Sequence, residues 1–190
     1  HYIALVSAVG AVVLLAAYGL AFAAAGQRLC AFARAVLPAQ AVAISTQSSL
    51  ASLPAMVAAC RRLGLKETSA EFVLPLAVAL FRATGPAMNL AVVIYAAALT
   101  GVEITPPTLA AGVGVALVTT LGTVSLPGTI SFVASTGPIA LAMGVPLEPL
   151  ALLVAVEMLP DIVRTLGNVT MDVAVTAIAD RAEGDHSGLA

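Results

Sequence analysis

Charge is scarce in this chain. Asp, Glu, Lys and Arg make up 9% of its 190 residues, aromatics 4%, and tryptophan is absent. So little polar material cannot clothe a water-soluble domain of this length. The net charge is −2 and no basic patch is present, which excludes a nucleic-acid partner. The two cysteines, Cys30 and Cys60, have no spacing suited to a metal site or a disulfide framework and read as packing residues near membrane ends. There is no nucleophile elbow, phosphate loop or histidine pair, and the two histidines lie at or near the termini, so the sequence signals no enzyme. The first apolar run lacks a charged n-region and a small-residue cleavage site, so it is not a signal peptide. The chain enters that run almost at once from His1, and is read as the C-terminal part of a longer membrane protein.

What is abundant is apolar sequence, 61% of the chain. Charges divide it into five stretches. Residues 2–26 are uncharged and long enough for one spanning helix. Residues 35–60 are uncharged but flanked on both sides by basic residues, Arg28 and Arg34 before, Arg61, Arg62 and Lys66 after. Short basic loops stay on the cytoplasmic side, so both ends belong on one face and the stretch reads as a re-entrant hairpin. Its middle, STQSSLASLP (Ser45 to Pro54), is too polar and broken for a lipid-facing helix; an amphipathic surface helix is the alternative, but the serines cluster instead of recurring at helical spacing.

Residues 72–102 are long enough to cross once with tilt, and FRATGP (Phe81 to Pro86) predicts an unwound segment between two half-helices. Residues 104–147 carry no charge and break at TTLGTVSLPGT (Thr119 to Thr129). Two full spans would fit there, but a second hairpin entered from the opposite face is preferred. Residues 150–179 form a last spanning helix, and the polar segment 181–190 reads as a disordered cytoplasmic tail. The expected fold is thus an all-α membrane protein. Residues 1–180 form one transport domain of spanning helices and two re-entrant helical hairpins, arranged as an inverted repeat. Interrupted segments in corresponding positions of such halves are the sequence pointer to a secondary-transporter site.

The last helix carries the most informative residues: Glu157, Asp161, Arg164, Thr165, Asn168 and Asp172. At about 100° per residue they occupy roughly one third of the helix circumference. Ionisable groups at membrane depth are costly and face a bundle interior or a solute pathway. The stripe therefore reads as a transport site, against the alternative of an ion-pair network that only ties helices together. A guanidinium grips a planar carboxylate through two parallel hydrogen bonds, so Arg164 suits an anionic solute.

These residues resemble the dicarboxylate/amino acid:cation symporters, the glutamate transporter family. EMLPDIVRTLGNVTMD (Glu157 to Asp172) is similar to that family's D-x-x-x-D-x-x-R-T-x-x-N-x-x-x-D pattern, with Glu157 as one conservative change. The tips STQSSLASLP and LGTVSLPGT resemble its two hairpins, and the resemblance runs from Tyr2 to Asp180. It implies an elevator-type transport domain and a homotrimer built through scaffold helices absent from this chain. By position, Asp161 would receive a substrate ammonium, Arg164 its side-chain carboxylate and Asn168 its main-chain carboxylate, with Thr165 beside them and Ser48 and Ser49 donating from the first tip. The aspartate at 161 favours acidic amino acids over pure dicarboxylates, unless Asp161 and Arg164 neutralise each other.

The departure from the family lies at the unwound segment, where its N-M-D-G-T is replaced by FRATG, Phe81 to Gly85. The asparagine and aspartate that help bind sodium become Phe81 and Ala83, the threonine becomes Gly85, and Arg82 stands in place of methionine. The resemblance then implies loss of one sodium site. A second would survive on Asp172, the Asn168 carbonyl and carbonyls near Ala77 and Phe81, and a third on carbonyls around Ala79 with Thr120, Leu121 and Thr123. Coupling to protons through Glu157 or Asp172, replacement of a cation by Arg82, and drift to another ligand are the competing accounts. Ordinary sodium coupling with reduced stoichiometry stands beside them.

The expected function is symport of acidic amino acids such as aspartate and glutamate across a bacterial-type inner membrane, by a multi-pass protein with a cytoplasmic C-terminus. No cofactor is expected beyond coupling sodium ions or protons, and the expected partners are a small acidic solute and the lipid bilayer. The alternatives are a C4-dicarboxylate or other organic-anion carrier, a membrane binding or sensor protein without transport, and an anion channel.

Overall fold

The computed structural model describes residues 1–122 and 129–187, with side chains for 1–121 and 132–184. Among the described residues there are nine α-helices and no strand. The uncharged first run forms α1 (Tyr2–Ala23), whose 22 residues span ~33 Å at the α-helical rise, enough for a bilayer core of about 30 Å. A hairpin of α2 (Leu29–Thr46) and α3 (Ser49–Arg62) follows. Then come α4 (Glu67–Leu80) and α5 (Gly85–Thr100), a second pair α6 (Pro106–Gly122) and α7 (Thr129–Ala142), the short α8 (Glu148–Leu153) and the long α9 (Met158–Ser187). Among the described residues, four segments are long and apolar enough to cross a membrane: Tyr2–Ala23, Leu29–Thr46, Glu67–Thr100 and Met158–Gly184.

Each break has a local cause. Between α2 and α3, Gln47 takes a left-handed conformation (φ 50°) and Ser48 caps α3, its Oγ accepting from the Ala51 N–H at 3.2 Å. The tip lies inside the serine-rich segment, although α2 begins at Leu29, ahead of the expected boundary at residue 35. Between α4 and α5 the helix opens over residues 81–84 and restarts with Pro86 in its first turn, where a missing N–H costs nothing. Thr123 and most of TTLGTVSLPGT, between α6 and α7, lie outside the described residues.

The last stretch departs from the single helix expected over 150–179. After α8 the chain tightens into a 3-10 turn (Val154–Val156) before α9 begins at Met158. Pro160 explains the break. A proline ring clashes with the carbonyl four residues back, here Val156, but is tolerated in a first helical turn. The C-terminal segment departs too, for α9 continues through Ser187. Asp180 accepts from the Lys66 backbone N–H at 3.0 Å and the Ser69 hydroxyl at 2.7 Å, satisfying the start of α4, whose own first residues offer no side-chain cap.

Two cores result. Phe32, Met56, Leu74, Val169 and Val173 join α2, α3, α4 and α9. Met88, Val92, Ala116 and Ile139 join α5, α6 and α7, with Leu150 and Leu153 of α8 alongside. Helix α1 belongs to both, through Ala21 in the first and Tyr2 and Val6 in the second. It runs parallel to α9: Tyr2 meets Glu157 at one end, and the Ala24 carbonyl accepts from Arg181 at the other. The two helices approach closely midway, where a Cβ on Gly10 would lie 3.0 Å from Val163. Cys60 is buried in the first core and Cys30 is exposed; both are free thiols.

Candidate functional site

The polar stripe of α9 faces the opened segment between α4 and α5. Arg164 is its centre. Nη2 lies 2.5 Å from Glu157 Oε1, Nη1 donates to Asn89 Oδ1 at 2.5 Å, and Nε lies 3.3 Å from Asp161 Oδ1. The Tyr2 hydroxyl donates to the second oxygen of Glu157. Every guanidinium nitrogen therefore has a partner, and Glu157 is fixed from both sides. The guanidinium carries five N–H groups, so donors remain on Nη1 and Nη2 for an incoming carboxylate. Asp161 is the more open of its two acidic partners, with 29% of its side chain exposed against 10% for Glu157.

One turn along α9, Asn168 binds the opened segment. Its Oδ1 accepts from the Thr84 backbone N–H at 3.0 Å and from the Thr84 hydroxyl at 2.9 Å, and that hydroxyl also lies 3.2 Å from the Arg164 carbonyl oxygen. Thr84 thus pins the non-helical backbone to the helix carrying Arg164. Gly167 permits the approach, since a Cβ there would sit 2.4 Å from Thr84 Cγ2. Thr165 turns its hydroxyl back to the Asp161 carbonyl at 2.9 Å.

Farther along, Asp172 is 1% exposed, and neither carboxylate oxygen has a hydrogen-bond partner among the described residues. A buried carboxylate without donors is costly unless a cation answers it or a proton neutralises it, so the residue suits either. Ala83, by contrast, brings no side-chain oxygen to the opened segment. Arg82 is half-buried on that segment, within electrostatic reach of Asp161, Asp172 and Arg164.

The six residues of the stripe thus fall into four groups: Glu157, Asp161 and Arg164 in one network, Thr165 on the Asp161 carbonyl, Asn168 on Thr84, and Asp172 alone. Among the described residues no hydrogen bond or ion pair joins Ser48 or Ser49 to them, although α3 packs on α9. The Ser48 hydroxyl serves its own helix as a cap. Sequence reasoning missed Tyr2, Thr84 and Asn89. Asn89 had a signal, since it is the single amide in an otherwise apolar α5. Tyr2 had none.

Comparison with curated proteins gives no match. The family model described as the sodium:dicarboxylate symporter family matches residues 1–182. That span takes in every helix that builds the site, and the four apolar segments fit an integral membrane protein engaged in transport. The chain belongs to the sodium:dicarboxylate symporter family.

Proposed function

We propose that this chain is the transport domain of a secondary carrier for acidic amino acids such as aspartate and glutamate. The observation that carries the reading is the pairing of Asp161 with Arg164, one turn apart on α9, beside an opened backbone held by Thr84 and Asn168. A zwitterion with an extra acid has complementary parts. Its side-chain carboxylate takes the free donors of Arg164, its ammonium takes Asp161, and its main-chain carboxylate approaches Asn168. Ser48 and Ser49 supply hydroxyl and backbone donors from the first tip.

The α2–α3 and α6–α7 pairs act as re-entrant hairpins, and the domain moves its occluded solute across an inner membrane in elevator fashion. It does so within a homotrimer held by scaffold helices outside this chain, with the C-terminus cytoplasmic. No covalent chemistry is involved. Coupling ions, sodium or protons, balance the charge of the solute. A second reading, a C4-dicarboxylate carrier, is favoured by the engagement of Asp161 with Arg164, which leaves a solute without an ammonium less to lose. Failure of every acidic solute to cross, with binding retained, would favour a sensor.

The test is uptake of labelled L-aspartate by the full-length parent in proteoliposomes, under a sodium gradient, a proton gradient or neither. Arg164→Ala should abolish binding of aspartate and glutamate. Asp161→Ala should harm amino acids while sparing succinate; equal loss for both solutes would remove ammonium recognition from the account.

A further inference from the structure

Resting on the reading of the site as an acidic-solute carrier, we propose that Arg82 is the built-in counter-ion of Asp172, supplying from the opened α4–α5 segment the positive charge that a dissociable cation would otherwise bring.

Three observations converge. Asp172 is a fully buried carboxylate with no donor on either oxygen among the described residues. The opened segment that carries Arg82 is bonded through Thr84 to Asn168, one helical turn before Asp172 on α9, and Arg82 lies within electrostatic reach of that carboxylate. Arg82 itself enters none of the ion pairs among the described residues. A buried carboxyl group without a hydrogen-bond partner and a half-buried cation outside every ion pair of the described residues thus lie in one site. The cation stands on non-helical backbone, residues 81–84, where a long side chain can be re-aimed without unwinding a helix. The other basic group of the site, Arg164, is taken up by Glu157 and Asp161.

Charge counting gives the consequence. Glu157, Asp161 and Asp172 oppose Arg82 and Arg164, leaving one negative charge when all are ionised. An acidic amino acid adds one more. Without Arg82 the same site would hold an additional uncompensated negative charge at every stage, and charges in a low-dielectric interior attract any available cation. Arg82 therefore lowers the number of dissociable cations the loaded site requires by one. A guanidinium stays protonated under all ordinary conditions, so the tethered charge cannot leave with the solute. Sodium dependence should be weak at this position and should appear when Arg82 is removed.

The experiment uses the full-length parent in detergent, with sodium chloride replaced by choline chloride at constant ionic strength. Two quantities are read: the unfolding temperature without solute, and the dissociation constant for L-aspartate as a function of sodium concentration. In Arg82→Met, sodium should raise the unfolding temperature more than in the parent. The log–log dependence of aspartate affinity on sodium should steepen by about one ion. Arg82→Lys should behave as the parent. Arg82→Met combined with Asp172→Asn removes both partners and should return to the parent's sodium response, which also covers the case of a single variant that folds poorly. An identical sodium response in the parent and in Arg82→Met overturns the proposal, as does a double variant that still shows the steeper dependence. If aspartate binds none of the proteins, the solute assignment fails, while the solute-free unfolding series still decides the role of Arg82.

Discussion

Arg164 and Glu157 form an ion pair 2.5 Å long at the junction of the 3-10 turn and α9, and Tyr2 holds the other Glu157 oxygen. The guanidinium that suits an anionic solute is thus already answered by an internal carboxylate. A bound acid must share Arg164 with Glu157, and the affinity of the site reflects that competition.

Substitution at Glu157 separates charge from shape. Glu157→Gln keeps an acceptor for Arg164 and a polar group for Tyr2 while removing the competing charge. Aspartate should bind about tenfold tighter, equivalent to ~1.4 kcal/mol. Glu157→Ala leaves the Tyr2 hydroxyl and part of the guanidinium without partners. Breaking a buried pair in this way costs about 3–5 kcal/mol, reduced here because Asp161 and Asn89 remain. Isothermal titration and thermal unfolding distinguish the two variants. Weaker aspartate binding by Glu157→Gln would mean that Glu157 orients Arg164 more than it competes with the solute.

The opened segment depends on Thr84. Thr84→Val preserves volume and the backbone N–H bond to Asn168 but deletes the hydroxyl that reaches Asn168 Oδ1 and the Arg164 carbonyl. Losing one partner of a buried polar pair costs about 1–3 kcal/mol. A lower unfolding temperature together with weaker aspartate binding is expected. An unchanged affinity would show that Asn168 needs only the backbone bond.

Much of this arrangement was legible in the sequence. FRATGP announced the opening that the structure places at residues 81–84, because proline and glycine are read directly as backbone chemistry. The serine cluster marked the Gln47–Ser48 break for the same reason. The stripe from Glu157 to Asp172 was visible as helical periodicity, but periodicity alone carried the helix through Val154–Val156, where Pro160 prevents it. What could not be read were partners distant in sequence. Tyr2 reaches Glu157 across the whole chain, and Asp180 caps α4 from the far end of α9. A polar C-terminal segment looks solvated until α4 is seen to need its carboxylate.

That last contact makes a prediction of its own. Asp180→Ala should remove the acceptor shared by the Lys66 N–H and the Ser69 hydroxyl. Loss of a helix cap costs about 0.5–2 kcal/mol. Amides in the first turn of α4 should exchange faster in hydrogen–deuterium exchange, with aspartate affinity unchanged, because the capped end is far from Arg164 along α9. Slow exchange in the variant would indicate that Glu183, which also accepts from Ser69 and pairs with Lys66, suffices.

Gly167 sets the distance between α9 and the opened segment, and its role can be isolated by rescue. Adding a Cβ would place it 2.4 Å from Thr84 Cγ2, too close for any real contact. Thr84 cannot retreat freely, since its backbone and hydroxyl are both bonded to Asn168. Overpacking of this kind costs about 1–3 kcal/mol, and here it would push residues 81–84 away from Arg164 and Asn168. Gly167→Ala should therefore weaken aspartate binding as well as lower the unfolding temperature. Combining it with Thr84→Ser removes Cγ2 while keeping the hydroxyl, and both properties should recover toward the parent. Recovery is the informative result, because Thr84→Ser alone removes packing and has no other reason to stabilise the protein. If the double variant is no better than Gly167→Ala, the glycine matters for the Gly10 backbone of α1, whose carbonyl oxygen lies 3.7 Å from the same position, and not for Thr84.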